Sequence, residues 1–64
     1  MAITIKAARV NVGLTQEEAA KELGITRATL ANYESGKTTP SITMGQKIAS
    51  LYKTSVDDLI FSAD

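Results

Sequence analysis

Between Leu14 and Ser35 the chain reads LTQEEAAKELGITRATLANYES, a segment that carries its own start, stop and restart signals. Thr15 followed by Glu18 has capping-box spacing: the hydroxyl can accept from the amide three residues on, and the carboxylate can reach back to the amide of Thr15. A helix is therefore predicted from Gln16, with Ala19, Ala20 and Leu23 at helical spacing on its inner face. Gly24 ends it, because glycine enters the left-handed conformation wanted past a helix terminus without steric cost. Ile25 can plug the corner that follows. Thr26 is a fresh N-cap, so a second helix is predicted from Arg27 to about Ser35. Two short helices across so short a turn pack at a sharp angle.

Such a pair is a helix-turn-helix, and its second helix has the geometry to enter the major groove of DNA. A helical wheel places Leu30, Tyr33 and Glu34 on one side of that helix and Arg27, Ala28, Ala31, Asn32 and Ser35 on the other. Leu30 and Tyr33 are core residues. The opposite stripe combines one long donor, one amide and methyl-sized side chains that allow close approach to another surface. A merely solvated face more often carries several Glu and Lys residues, as the preceding helix does with Glu17, Lys21 and Glu22.

The flanking sequence reads as further helices with short connections. Ile5, Ala8 and Val12 form the apolar stripe of a first helix ending at Gly13. Gly36 to Pro40 is a loop, and Ser41 is the N-cap of a helix reaching about Tyr52, with Met44, Ile48, Leu51 and Tyr52 inward. Ser55 and Asp58 have capping-box spacing with Asp in place of Glu, which predicts a last short helix through Val56, Leu59 and Ile60. The expected architecture is all-α and five-helical, one domain over residues 1–64 with the motif at about 15–35.

At 64 residues the core is small for its surface. Cysteine and histidine are both absent, so neither disulfides nor a zinc site are expected, and no cofactor is implied. No apolar run approaches membrane-spanning length, and Met1 to Val12 lacks a signal-peptide cleavage pattern, so a cytoplasmic protein is expected. Net charge is zero, which by itself argues against nucleic acid. Its distribution does not: from Thr26 to Lys53, Arg27, Lys37, Lys47 and Lys53 stand against Glu34 for a net +3, and Asp57, Asp58 and Asp64 give −3 thereafter.

The string L-T-Q-x-x-x-A-x-x-L-G-I-T-x-x-x-L-x-x-Y-E-x-G-x-x-x-P-S resembles the Cro and phage-repressor class of helix-turn-helix domains, also called the xenobiotic-response-element family. The resemblance covers about residues 5 to 61 and implies a lambda-repressor-like fold. Three positions depart from the family pattern. Ala19 stands where leucine is common, Gly45 falls inside a helix where a larger apolar residue is usual, and Lys53 takes the place of a helix-ending glycine.

Within this frame Arg27 is expected to read a base, since arginine can donate two hydrogen bonds to guanine O6 and N7. Asn32 suits adenine and suits an ordinary polar helix position equally well; Ala28 either touches a thymine methyl or is simply a good helix former. In the resembling repressors the position of Gln16 anchors a phosphate, and helix N-termini attract phosphate in any case. Thr26, Thr29, Ser35, Lys37, Thr38 and Thr39 are candidates for the DNA backbone, where contacts position rather than specify. For Thr29 a bond to its own backbone is the better reading. The resemblance also implies a structural ion pair between Arg9 and Glu34, which explains a carboxylate beside a DNA-facing helix. Lys47 and Lys53 are read as solvated, and Glu17, Glu18 and Glu22 as a solvated face rather than a polymerase contact.

The expected function is a sequence-specific transcriptional regulator of bacterial or phage origin, a repressor binding double-stranded DNA as a homodimer, with Phe61 as the candidate dimer contact beyond the last core residues Leu59 and Ile60. No small-molecule ligand is implied. Two other readings share the domain: an antitoxin or restriction-controller regulator, and a protein-interaction module without DNA binding. An enzyme is not expected, because no nucleophile and base are suggested.

Overall fold

A computed structural model describes residues 2–61. The chain begins with a two-residue strand β1 (Ile3–Thr4), then runs through helices α1 (Ile5–Asn11), α2 (Gln16–Leu23), α3 (Arg27–Ser35) and α4 (Ile42–Leu51). A single 3₁₀ turn (Val56–Asp58) and a second short strand β2 (Leu59–Ile60) follow.

Each α-helix opens on a hydroxyl that satisfies one first-turn amide. Thr4 accepts from Ala7, Thr15 from Glu18, Thr26 from Thr29 and Ser41 from Met44. At α2 the box is complete, for the Glu18 carboxylate also accepts from the amide of Thr15 at 2.9 Å. Gly24 closes α2 in the left-handed region at φ 73°, and the amide of Ile25 donates to the carbonyl of Ala20 at 3.0 Å. This sequence of cap, stop and cap sets the corner between α2 and α3.

The core is built from Ile5 and Ala8 of α1, Ala19, Ala20 and Leu23 of α2, Leu30 of α3, Ile48 and Ala49 of α4, and Tyr52 and Leu59 beyond it. Val12, Leu14, Ile25, Tyr33, Met44 and Leu51 pack around them, half-buried. Ala19 is fully buried on α2, the helix that packs on both α3 and α4.

The carboxyl-terminal segment differs from the helix expected through Val56, Leu59 and Ile60. The Ser55 side chain makes no capping hydrogen bond, and helical backbone lasts only through the 3₁₀ turn, closed by the amide of Asp58 on the carbonyl of Ser55 at 3.1 Å. Leu59 and Ile60 then extend and pair in parallel with Ile3 and Thr4, in the register Ile3 with Leu59 and Thr4 with Ile60. The described residues therefore form four α-helices, a 3₁₀ turn and a two-stranded parallel ribbon rather than five helices. Three apolar residues are too few for their spacing to separate strand from helix. The choice rests on an amino-terminal partner strand more than fifty residues away.

Gly45 acquires a meaning from the same segment. It is buried in α4, and a Cβ built there would lie 3.3 Å from the ring Cζ of Phe61. Phe61 is half-buried against the core at this point, so the missing side chain is the space its ring occupies. Among the described residues no helix is long and apolar enough to cross a membrane.

Candidate nucleic-acid interface

The corner between α2 and α3 leaves one side of α3 open. Arg27 and Ala28 are exposed in its first turn, and Asn32 is half-buried one turn on. The Asn32 side-chain amide makes no hydrogen bond among the described residues, although its carbonyl accepts from the amides of Lys37 and Thr38 at 3.0 and 3.4 Å. Lys37, Thr38 and Thr39 are exposed in the loop directly after α3. Arg27, Ala28, Asn32 and this loop therefore lie along one helix and its exit.

Three of the hydroxyls, those of Thr26, Thr29 and Ser35, are already engaged locally. The Thr29 Oγ1 lies 2.8 Å from that of Thr26, which itself accepts from the Thr29 amide, and Ser35 Oγ donates to the carbonyl of Asn32 at 3.2 Å. Each can still accept from a donor or exchange its local bond, but none stands free as the Asn32 side chain does.

Behind the open face, the opposite side of α3 is fixed to α1. Arg9 Nε donates to Glu34 Oε2 at 2.7 Å, with the two side chains only 10% and 4% exposed. Arg9 Nη2 adds a longer bond to Glu34 Oε1, and Nη1 donates to the carbonyl of Leu14 at 2.7 Å. One guanidinium thus joins α1, the segment entering α2, and α3. Tyr52 lies close enough to feel both charges: its hydroxyl is buried without a partner among the described residues, and its pKa is pushed up to about 12 by desolvation and by the Glu34 carboxylate, with Arg9 opposing.

Gln16 connects this buried pair to the open face. Its Nε2 donates to Glu34 Oε1 at 3.0 Å, and its Oε1 accepts a long bond from Arg27 Nε at 3.4 Å. Arg27 is thereby drawn toward the start of α2 through Nε alone, leaving its two terminal nitrogens for another acceptor. The sequence placed Gln16, Arg27 and the Arg9–Glu34 pair in three separate roles. The tertiary fold joins them in one hydrogen-bonded chain.

An open cleft of about 530 Å³ lies at this junction, lined by Lys6, Arg9, Thr15, Gln16, Glu17 and Arg27. Sequence reasoning passed over Lys6, which precedes the helix-turn-helix. A signal was present, since Lys6 is three residues from Arg9 and so shares its side of α1. No group of residues able to hold a metal ion occurs among the described residues.

Comparisons with known proteins place the chain in context. A family model described as helix-turn-helix matches residues 5–59. An uncharacterized HTH-type transcriptional regulator of Archaeoglobus fulgidus is 38% identical over 64 residues, covering 100% of this chain and 91% of that protein. A second from the same organism is 37% identical over 59 residues, covering 92% of this chain and 83% of the relative. One from Methanocaldococcus jannaschii is 39% identical over 51 residues, covering 80% and 77%. These relatives are archaeal, whereas the sequence reading expected a bacterial or phage source. No solved structure matches the chain significantly. With the matched span running from the first helix to the carboxyl-terminal strand, the chain belongs to the helix-turn-helix family of the Cro/C1 type, a class of DNA-binding, non-enzymatic transcriptional regulators.

Proposed function

We propose that this protein is a cytoplasmic, sequence-specific transcriptional regulator that binds a palindromic operator as a homodimer and represses by occluding the promoter. The observation that carries this reading is the asymmetry of α3. Its inner side is held by Leu30 and the Glu34 ion pair, while Arg27, Ala28 and Asn32 stand open with unused hydrogen-bonding groups on the two polar side chains. A rigid helix with an open face of small and donor residues suits direct readout of base edges. Arg27 would read guanine, Asn32 adenine, and Ala28 a thymine methyl.

Gln16, Thr26, Thr29, Ser35, Lys37, Thr38 and Thr39 would hold the backbone on either side. The archaeal relatives, named as HTH-type transcriptional regulators, agree in kind. The dimer contact is assigned to the carboxyl-terminal segment, where Phe61 is half-buried with its ring against Gly45.

Selection of bound duplexes from a random pool tests the reading. An enriched sequence with two-fold symmetry is expected; no enrichment, or a single asymmetric half bound by one chain, would overturn it.

A further inference from the structure

One buried polar group takes no part in the network that holds α3. The hydroxyl of Tyr52, the residue that follows α4, is enclosed in the core and makes no hydrogen bond among the described residues. An unmet buried hydroxyl costs stability, and phenylalanine would fill the same place without that cost, so the hydroxyl needs another reason. It lies within electrostatic reach of the Arg9–Glu34 pair, and the Glu34 carboxylate acts on it more strongly than the Arg9 guanidinium does. The charge that acts on it most is therefore an acceptor.

Glu34 has room for one more donor, since a carboxylate offers about four lone-pair sites. Arg9 Nε bonds to Oε2 at 2.7 Å, while Gln16 Nε2 and Arg9 Nη2 reach Oε1 at 3.0 and 3.4 Å. The bond from Gln16 is the one that can be withdrawn, because Gln16 is half-buried and its other amide atom, Oε1, accepts from Arg27 at 3.4 Å. Arg9 is buried and donates a further bond to the carbonyl of Leu14. A duplex that draws Arg27 outward therefore loads the Gln16 bond and leaves the Arg9 bonds in place. With nothing in its stead, the buried carboxylate that anchors α3 would be short of a donor while the helix is reading.

We propose that the Tyr52 hydroxyl is the alternate donor to Glu34, unbonded while Gln16 is in place and closing on the carboxylate when Gln16 turns toward the duplex, which makes Tyr52 a positioning residue for α3. Its role in binding rests on the DNA-binding reading above, whereas the exchange of donors is a property of the free chain.

The test is a double-mutant cycle read by thermal melting, together with the Cζ resonance of isotope-labelled Tyr52. The chain has two tyrosines, so Tyr33→Phe assigns the signal. With Gln16 present, Tyr52→Phe should melt at or above the wild type. With Gln16 replaced by Ala, or by Met, which keeps the length without the amide, Tyr52→Phe should lower the melting temperature by about 4–8 °C. The Tyr52 signal should move in free Gln16→Ala, and move the same way when the wild type takes up the selected duplex. On that duplex Tyr52→Phe, which keeps the packing, should bind about tenfold more weakly. Its salt slope should stay unchanged, because no charge is altered.

Additive melting effects, or a Tyr52 signal that stays in place in Gln16→Ala, would overturn the exchange. Full affinity in Tyr52→Phe would overturn the positioning of α3 while wild-type binding, and with it the DNA-binding reading, stands. If the wild type binds no duplex, the functional reading fails and takes the positioning role with it, and the cycle on the free protein still decides the exchange.

Discussion

Two cations ten positions apart separate reading from attraction. Arg27 opens α3 with its terminal nitrogens free, so Arg27→Ala should cost about 1–3 kcal/mol on the selected operator and relax preference at one base position. Lys37 lies in the exposed loop beyond α3, and Lys37→Ala should weaken all sequences about equally while lowering the salt slope by about one phosphate. An unchanged ratio of operator to scrambled affinity in Arg27→Ala would remove α3 as the reader. Glu34 belongs to stability instead. Glu34→Ala leaves the buried Arg9 guanidinium without its partner, a loss that can reach about 3–5 kcal/mol. Against a total stability on the order of 3–10 kcal/mol for a chain of this size, that should be plain in a thermal melt. Tyr52 gives the opposite sign. Its buried hydroxyl has no partner among the described residues, so Tyr52→Phe should be neutral or stabilising. Because burial raises the folded pKa to about 12 from an ordinary 10, this part of the stability is complete below pH 10 and lost as pH rises toward 12. The Phe variant should show a smaller fall in melting temperature over that window.

At the scale of elements, the helix-turn-helix was legible because each of its boundaries is a local event. A threonine bonds an amide three residues away, a carboxylate returns the bond, and a glycine adopts positive φ. The end of α4 has the same geometry with a less suitable residue: Lys53 sits at φ 57° while the amide of Thr54 donates to the carbonyl of Ala49. Lys53→Gly should therefore raise stability by about 1 kcal/mol, a shift of about 4–8 °C in melting temperature for a domain this small. At Gly45 two effects compete. Alanine gains about 1 kcal/mol of helix propensity, but its Cβ meets the Phe61 ring at 3.3 Å. The outcome of Gly45→Ala should thus be more favourable in a Phe61→Ala background than in the wild type, by about 0.5 kcal/mol or more. Additive effects in a double-mutant cycle would show that the ring does not limit this position.

For the whole molecule, size bears on assembly. The described chain measures 26 × 23 × 19 Å, whereas reading helices in successive major grooves stand about 34 Å apart. Two copies so placed can meet only along adjoining edges, so the protomer interface should be small and the dimer weak in the absence of DNA. Sedimentation should find mainly monomer at micromolar concentration, and binding to a two-half-site duplex should be cooperative. Inserting about five base pairs between half-sites turns one copy to the other side of the duplex and should abolish that cooperativity. Retained cooperativity would place the dimer contact on a flexible element and away from Phe61.

What the amino-acid order determined by itself is everything governed by contacts within about four residues: the caps of α2, α3 and α4, the glycine that turns the corner, and the side of α3 that stays open. Such bonds form within a single turn and need no distant partner. Through resemblance to a known pattern the sequence also implied the pairing of Arg9 with Glu34. Three features waited for the tertiary structure. Leu59 and Ile60 form a strand because Ile3 and Thr4 lie alongside them; Gly45 is small because Phe61 folds onto it; and Gln16 joins the buried ion pair to Arg27 because α3 brings both Glu34 and Arg27 to its amide. In each case the deciding partner lies far along the chain, and only packing brings it within reach.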